Sequence, residues 1–260
     1  MSLIRGLTHS LSHMYLDFSK LFHNSSKDPS AGGSIVFPKD QKDWPDAWKT
    51  THYKEYPSFK KIPLSDLPPH KDLFETIRAR KSSRDYSEKA ISLDEISTLL
   101  KYSCGGIGED DPTGSMHRAQ ASAGGLFPIE IYPLIFRDSG DLRSGLYHYN
   151  VRDHSLDVLW QRRFEKRDIA ELFTYEWIRD ASMAIVMTGV FGRNQIKYGE
   201  RGYRYLLLEA GHIGQNIYLV SEALGLKCCG LGGTRDVNLE KCIDIDGATE
   251  SVVYGLSIGK

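Results

Sequence analysis

The segment RGYRYLLLEAGHIGQNIYLVSEALG, residues 201–225, constrains this chain more than any other, because it repeats apolar residues at helical spacing on two faces instead of one. Tyr203, Leu207, Ala210, Gly214, Ile217, Ser221 and Leu224 trace the first face, and Leu208, His212, Gln215 and Leu219 trace the second. Such a helix has to be buried on both sides, either at the centre of the fold or at a subunit interface. Gly211 and Gly214 each lower helix propensity by about 1 kcal/mol relative to alanine, so a neighbour packed close to the backbone is expected.

Other segments supply what that helix packs against. DLFETIRARKS and EKRDIAELFTYEWIRDA read as helices, and SLDEISTLLKYSCG opens on Ser92 with Glu95 three residues later, a capping box ahead of an apolar run. IEIYPLIF (129–136), GLYHYN (145–150), SLDVLW (155–160), SMAIVMTGVF (182–191) and the final SVVYGLSIG read as strands. Hairpins without regular βαβ spacing predict an α+β domain over residues 71–260 and exclude a doubly wound one.

Residues 1–70 have a different texture. Seven of the ten prolines fall there, beside NSSKDPSAGGS and the scattered aromatics Trp44, Trp48, Tyr53, Tyr56 and Phe59. This predicts an extended N-terminal arm whose aromatics lie on a protein surface, since each one left in water forgoes a burial gain of roughly 1.5–3 kcal/mol. The balance of 33 Lys+Arg against 34 Asp+Glu excludes a charge-driven role on nucleic acid or a membrane surface. Charged and polar residues interrupt the stretch Met1 to Lys20, so no signal peptide is expected and the protein is expected to be cytoplasmic. Cys104, Cys228, Cys229 and Cys242 have no metal-ligand spacing and read as reduced thiols; no metal site is expected.

Four motifs could carry chemistry. RKSSR at 80–84 gathers Arg80, Lys81 and Arg84 with the hydroxyls of Ser82 and Ser83, a donor set suited to a phosphate monoester or else a solvated basic helix end. SAGGLFP at 122–128 is a small-residue loop that a flat ligand can approach closely, or simply a tight turn. GLGG at 230–233 is a second such loop, without the G-x-G-x-x-G context of a dinucleotide fold. In KYGERGYRY, Lys197 could serve as a base and Tyr198 as a proton relay, or they could be a solvated lysine and a packing tyrosine.

In order along the chain, RKSSR, RAQASAGGLFPIEIY, KYGERGYRYLLLEAGHIGQN and GLKCCGLGGTRD resemble the nitroreductase superfamily, and more closely its SagB-type branch, which includes azoline dehydrogenases of thiazole/oxazole-modified peptide pathways. The resemblance covers about residues 70–260. It implies an α+β, nitroreductase-like FMN-binding fold, with a central antiparallel-rich sheet flanked by helices, and a homodimer with FMN at the subunit interface. Arg80, Lys81, Ser82 and Arg84 match the positions that hold the FMN phosphate, ribityl chain and pyrimidine edge. Ser122, Ala123 and Gly124 match the loop along the isoalloxazine, with Ala121 where a proline is common. Leu231, Gly232 and Gly233 fall where backbone passes flavin N5, and Gly232 stands where many nitroreductases carry an acidic residue.

Lys197 and Tyr198 match the Lys-Tyr pair of the azoline dehydrogenases. The resemblance therefore implies FMN-dependent oxidation of a thiazoline or oxazoline to the azole in a ribosomally made precursor peptide. Lys197 would act as base, Tyr198 as its relay, and a cyclodehydratase complex as the working partner, with O2 reoxidising the flavin. An NAD(P)H-dependent nitro- or quinone-reductase and a non-catalytic scaffold subunit are the alternatives.

Overall fold

Among the described residues, the strands are β1 (Lys61–Pro63), β2 (Ile129–Ile135), β3 (Gly145–Asn150), β4 (Ser155–Gln161), β5 (Met183–Val190), β6 (Lys227–Leu231) and β7 (Glu250–Gly259). The helices are α1 (Leu73–Ala79), α2 (Leu93–Cys104), α3 (Lys166–Leu172), α4 (Phe191–Tyr198), α5 (Arg201–Ala223) and α6 (Asp236–Ile243). The structure, a computed structural model, describes residues 21–22, 38, 40–68, 70–108, 116–140 and 142–260. All seven strands form one sheet in the order β1-β4-β3-β2-β5-β7-β6, antiparallel at every pairing.

The α+β expectation is met, and the central strands show why. On β5, Met183, Ile185 and Met187 enter one core while Ala184 and Val186 enter the other, the period-2 alternation of a pleated strand. Both faces being covered, the strand reads in sequence as an unbroken apolar run. One face packs on α2 and α5 through Ile96, Leu99, Leu206, Ile213 and Ile217. The other packs on α3 and α6 through Ile169 and Leu239. The Ser92–Glu95 capping box is present in full and starts α2.

Helix α5 departs from the expected pattern in its phase. Its buried stripe runs Leu206, Ala210, Ile213, Ile217 and Val220, so Leu207 lies outside it and is exposed. The second face is also exposed: Leu208 is 59% accessible, and His212 and Gln215 are exposed beside it. The close neighbour at Gly214 is Tyr254 of β7, whose Cε1 would lie 2.6 Å from an added Cβ. At Gly211 nothing lies within 4 Å of that position.

Strand β1, drawn from the N-terminal 70 residues, takes the sheet edge beside β4. Preceding arm residues reach the same sheet: Lys54 Nζ donates to Glu250 Oε2 at 2.5 Å and to the Tyr132 hydroxyl at 2.7 Å. No helix among the described residues is long and apolar enough to cross a membrane.

Candidate active site

Helix α4 follows β5 directly and ends with Lys197 and Tyr198, where Gly199 takes a positive φ of 53°. The lysine and tyrosine therefore close a helix instead of sitting in a loop. Lys197 is 1% exposed, and among the described residues its Nζ has no hydrogen-bond partner. Burial lowers its proton affinity, because removing water penalises the ammonium form. Burial likewise raises the Tyr198 hydroxyl, with Tyr205 adding to the effect.

The loop that matched the isoalloxazine position meets this pair. Gly124 has φ 65° and ψ 14°, and a Cβ there would lie 2.6 Å from the Tyr198 hydroxyl and 2.9 Å from Lys197 Nζ. Gly124→Ala is therefore expected to cost about 1–2 kcal/mol from the left-handed backbone alone. If the pair serves the reaction, its displacement by up to about 1 Å should also lower turnover, by roughly a hundredfold. Urea unfolding and single-turnover rates check the two effects separately.

Ser122 ties the loop to α5. Its hydroxyl donates to Glu209 Oε2 at 2.5 Å and accepts from the Phe127 N–H at 2.9 Å. Glu209 is buried, and desolvation pushes its carboxyl up to about 7 against the opposing pull of Ser122 and Gln120. Ala121, Ser122, Ala123, Tyr205, Leu208, Glu209 and His212 line a cavity of about 270 Å³ beside it.

An ion network fixes α4 from below. Arg193, one turn before Lys197, donates to Glu130 at 2.6 Å and to the Phe127 carbonyl at 3.0 Å. Glu130 Oε2 lies 2.9 Å from His148 Nε2, and His148 Nδ1 lies 3.2 Å from Asp157 Oδ2, the cross-strand partner of His148. With a carboxylate on each ring nitrogen, both nitrogens act as donors and the imidazolium is favoured in spite of burial.

The basic motif forms a second group. Arg80 lies over the Tyr218 ring at 5.3 Å, Ser82 bonds the Tyr218 hydroxyl at 2.9 Å, and Arg84 lies over Trp177 at 5.7 Å. Lys81 is exposed. Tyr218 accepts from the Gly230 N–H at 2.6 Å, and Tyr175, stacked on Trp177, stands against Gly233. A Cβ at Gly233 would clash with Thr174 Oγ1, whereas at Gly232, among the described residues, only the Tyr175 hydroxyl comes within 4 Å. The Leu231 side chain is buried in the core, and Leu231 pairs with Gly255 in the β6–β7 ladder.

The expected residues thus form two groups at different levels of α5, marked by Glu209 and Tyr218, about 13 Å apart at about 1.5 Å rise per residue. Sequence reasoning missed Glu209, although a carboxylate between Leu206 and Ala210 on the buried stripe is a readable signal. It also missed Trp44, whose ring centre lies 3.7 Å from Lys197 Nζ, and the Arg193–Glu130 pair, whose partners come from separate elements.

Comparisons with known proteins bear on the family and the fold. A protein of Methanocaldococcus jannaschii described among nitroreductases is 28% identical over 74% of this chain and 89% of its own length. The trifolitoxin-processing protein TfxB of Rhizobium leguminosarum is 28% identical over 63% of this chain and 46% of its own length. The microcin B17-processing protein McbC of Escherichia coli is 27% identical over 59% and 58% respectively. The chain thus spans about half the length of these two processing proteins, whose similarity is consistent with the SagB-type branch. Among solved structures, a nitroreductase-type protein of Anabaena variabilis matches with a TM-score of 0.67 and 25% identity over 92% of this chain and 45% of that one. The E. coli microcin synthetase McbBCD complex matches with a TM-score of 0.59 and 21% identity over 94% and 91%. The nitroreductase family profile matches residues 77–260. With that span matched and the fold shared, this chain belongs to the nitroreductase family.

Proposed function

We propose that the protein is an FMN-dependent dehydrogenase that oxidises azoline rings of a ribosomally made peptide to azoles, as a homodimer working beside a cyclodehydratase. The observation that carries this reading is the Lys197 amine, buried, without a hydrogen-bond partner, and held against Gly124. A nitro- or quinone-reductase fed by NAD(P)H has no need of a carbon base, whereas aromatising an azoline requires one.

The residues fit FMN. Arg80 and Arg84 lie over aromatic rings, which leaves guanidinium donors for a phosphate, and the open side of Gly232 admits a flat ring to the backbone. FMN, when bound, supplies the acceptor for the hydride that leaves Cβ, while the Cα proton goes to Lys197; one proton and one hydride removed leave the aromatic ring. Tyr198, whose ring centre lies 5.4 Å from the amine, would relay its proton outward once its hydroxyl comes within hydrogen-bond reach. The exposed Leu208–His212–Gln215 face of α5 supports a second copy packed there, where each copy can bring one residue group to the other's flavin.

The test is anaerobic reduction of the FMN-loaded protein. An azoline-containing peptide is expected to bleach the flavin band while NAD(P)H leaves it unchanged. Rapid bleaching by NAD(P)H alone would instead identify a reductase, and failure to take up FMN a scaffold subunit.

A further inference from the structure

The arm reaches directly over the candidate base. Trp48 Nε1 donates to the Ile196 carbonyl at 3.2 Å, and the Thr51 hydroxyl donates to the Gly125 carbonyl at 3.1 Å. Between these two attachments and the chain before them, the Trp44 indole lies on Lys197 Nζ, with its ring centre 3.7 Å away. Gly124 also packs against the amine, a Cβ there lying 2.9 Å from Nζ, and the Tyr198 ring centre lies 5.4 Å from it.

A base takes a proton from carbon only when the two reacting atoms come within about 3–3.5 Å. The indole, with its ring centre 3.7 Å from Nζ, already occupies that shell on its own face of the amine, so a substrate ring and the indole cannot both stand there. Downstream the arm is anchored separately: Lys54 makes a charge-assisted bond to Glu250, and β1 pairs with β4 in the sheet, so a displacement of residues 44–51 need not carry β1 with it.

We propose that the Trp44 indole is a removable plug of the substrate subsite, standing against Lys197 Nζ where the planar five-membered ring of the peptide takes its place once residues 44–51 lift. The inference rests on the reading of the protein as an azoline dehydrogenase. It assigns the arm a role in admitting the ring. A plug that is seated most of the time lowers apparent ring affinity by the fraction of molecules that are open.

The experiment uses the full-length, FMN-loaded protein with W44A and W44F, acetic anhydride as a lysine probe read by peptide mass spectrometry, and a short thiazole-containing peptide as ligand. Lys197 should be protected in the wild type and in W44F, and acetylated at least about tenfold faster in W44A. W44A should bind the thiazole peptide about tenfold more tightly, with FMN affinity unchanged. Weaker peptide binding by W44A would make Trp44 a stacking wall and overturn the proposal, as would wild-type acetylation of Lys197 at the rate of exposed lysines. Tighter FMN binding in its place would assign the subsite to the flavin and also overturn it. Failure of the parent reading has its own signature: W44A unmasks Lys197, yet no variant binds the thiazole peptide, and the ring assignment falls with the function.

Discussion

On the proposed function, replacing Lys197 with alanine should slow azoline oxidation by about 10²–10⁴-fold, the usual contribution of a positioned general base, while FMN affinity and oligomeric state stay as they are. Among the described residues the amine makes no hydrogen bond, but its side chain is buried under the Trp44 indole, so urea unfolding and FMN uptake of the variant separate loss of the base from loss of packing. Lys197→Arg should not rescue the rate, because a guanidinium remains protonated throughout the accessible pH range. The direction of the pH dependence follows from burial. The base works unprotonated, so the rate falls as pH drops through the amine's depressed value, and any change that admits water moves that limb upward. Stopped-flow flavin reduction across pH measures both effects.

Glu130→Ala should cost about 3–5 kcal/mol of stability, the range for removing one partner of a buried ion pair. Glu130 faces both Arg193 and His148, and its loss leaves two buried cations facing an empty site. In the folded protein its carboxyl lies at about 2: burial raises it, but His148 and Arg193 lower it further, to below the ordinary 4.5. A lowered acid contributes stability that is fully present above its unfolded value and lost as pH falls toward about 2. The raised His148 acts in the opposite sense, with a contribution present below the ordinary histidine value of 6.5 and lost as pH rises through the folded one. Urea unfolding of wild type and Glu130→Ala at pH 7 and pH 3 should show the gap between them narrow at the lower pH.

Much of the fold is legible in the chain, because its long elements carry strong periodic signals. The Ser92 capping box, the unbroken apolar run of β5 and the length of α5 each point to one structure. The short elements are less legible. Helix α4 begins with Phe191-Gly192, β6 contains Gly230, and α6 is short, with polar and apolar residues in equal number, so tertiary contacts and not propensity make them regular. The phase of α5 is ambiguous in sequence because Leu206, Leu207 and Leu208 are consecutive, and packing against the sheet selects Leu206.

The candidate site divides along the same line. Gly124, Lys197 and Tyr198 stand out by residue type, and their mutual contact follows from a positive-φ glycine packed on the end of α4. Trp44 and Glu130 reach the site from an arm and a distant strand, and no spacing within the sequence encodes those contacts.

The most direct test of the account is single-turnover flavin reduction by an azoline peptide carrying deuterium at Cα. Rates are compared with the protiated peptide in the wild type and in Lys197→Ala. The account predicts slower reduction with deuterium in the wild type and collapse of the rate in the variant. Equal rates with either isotope, maintained in Lys197→Ala, would contradict it.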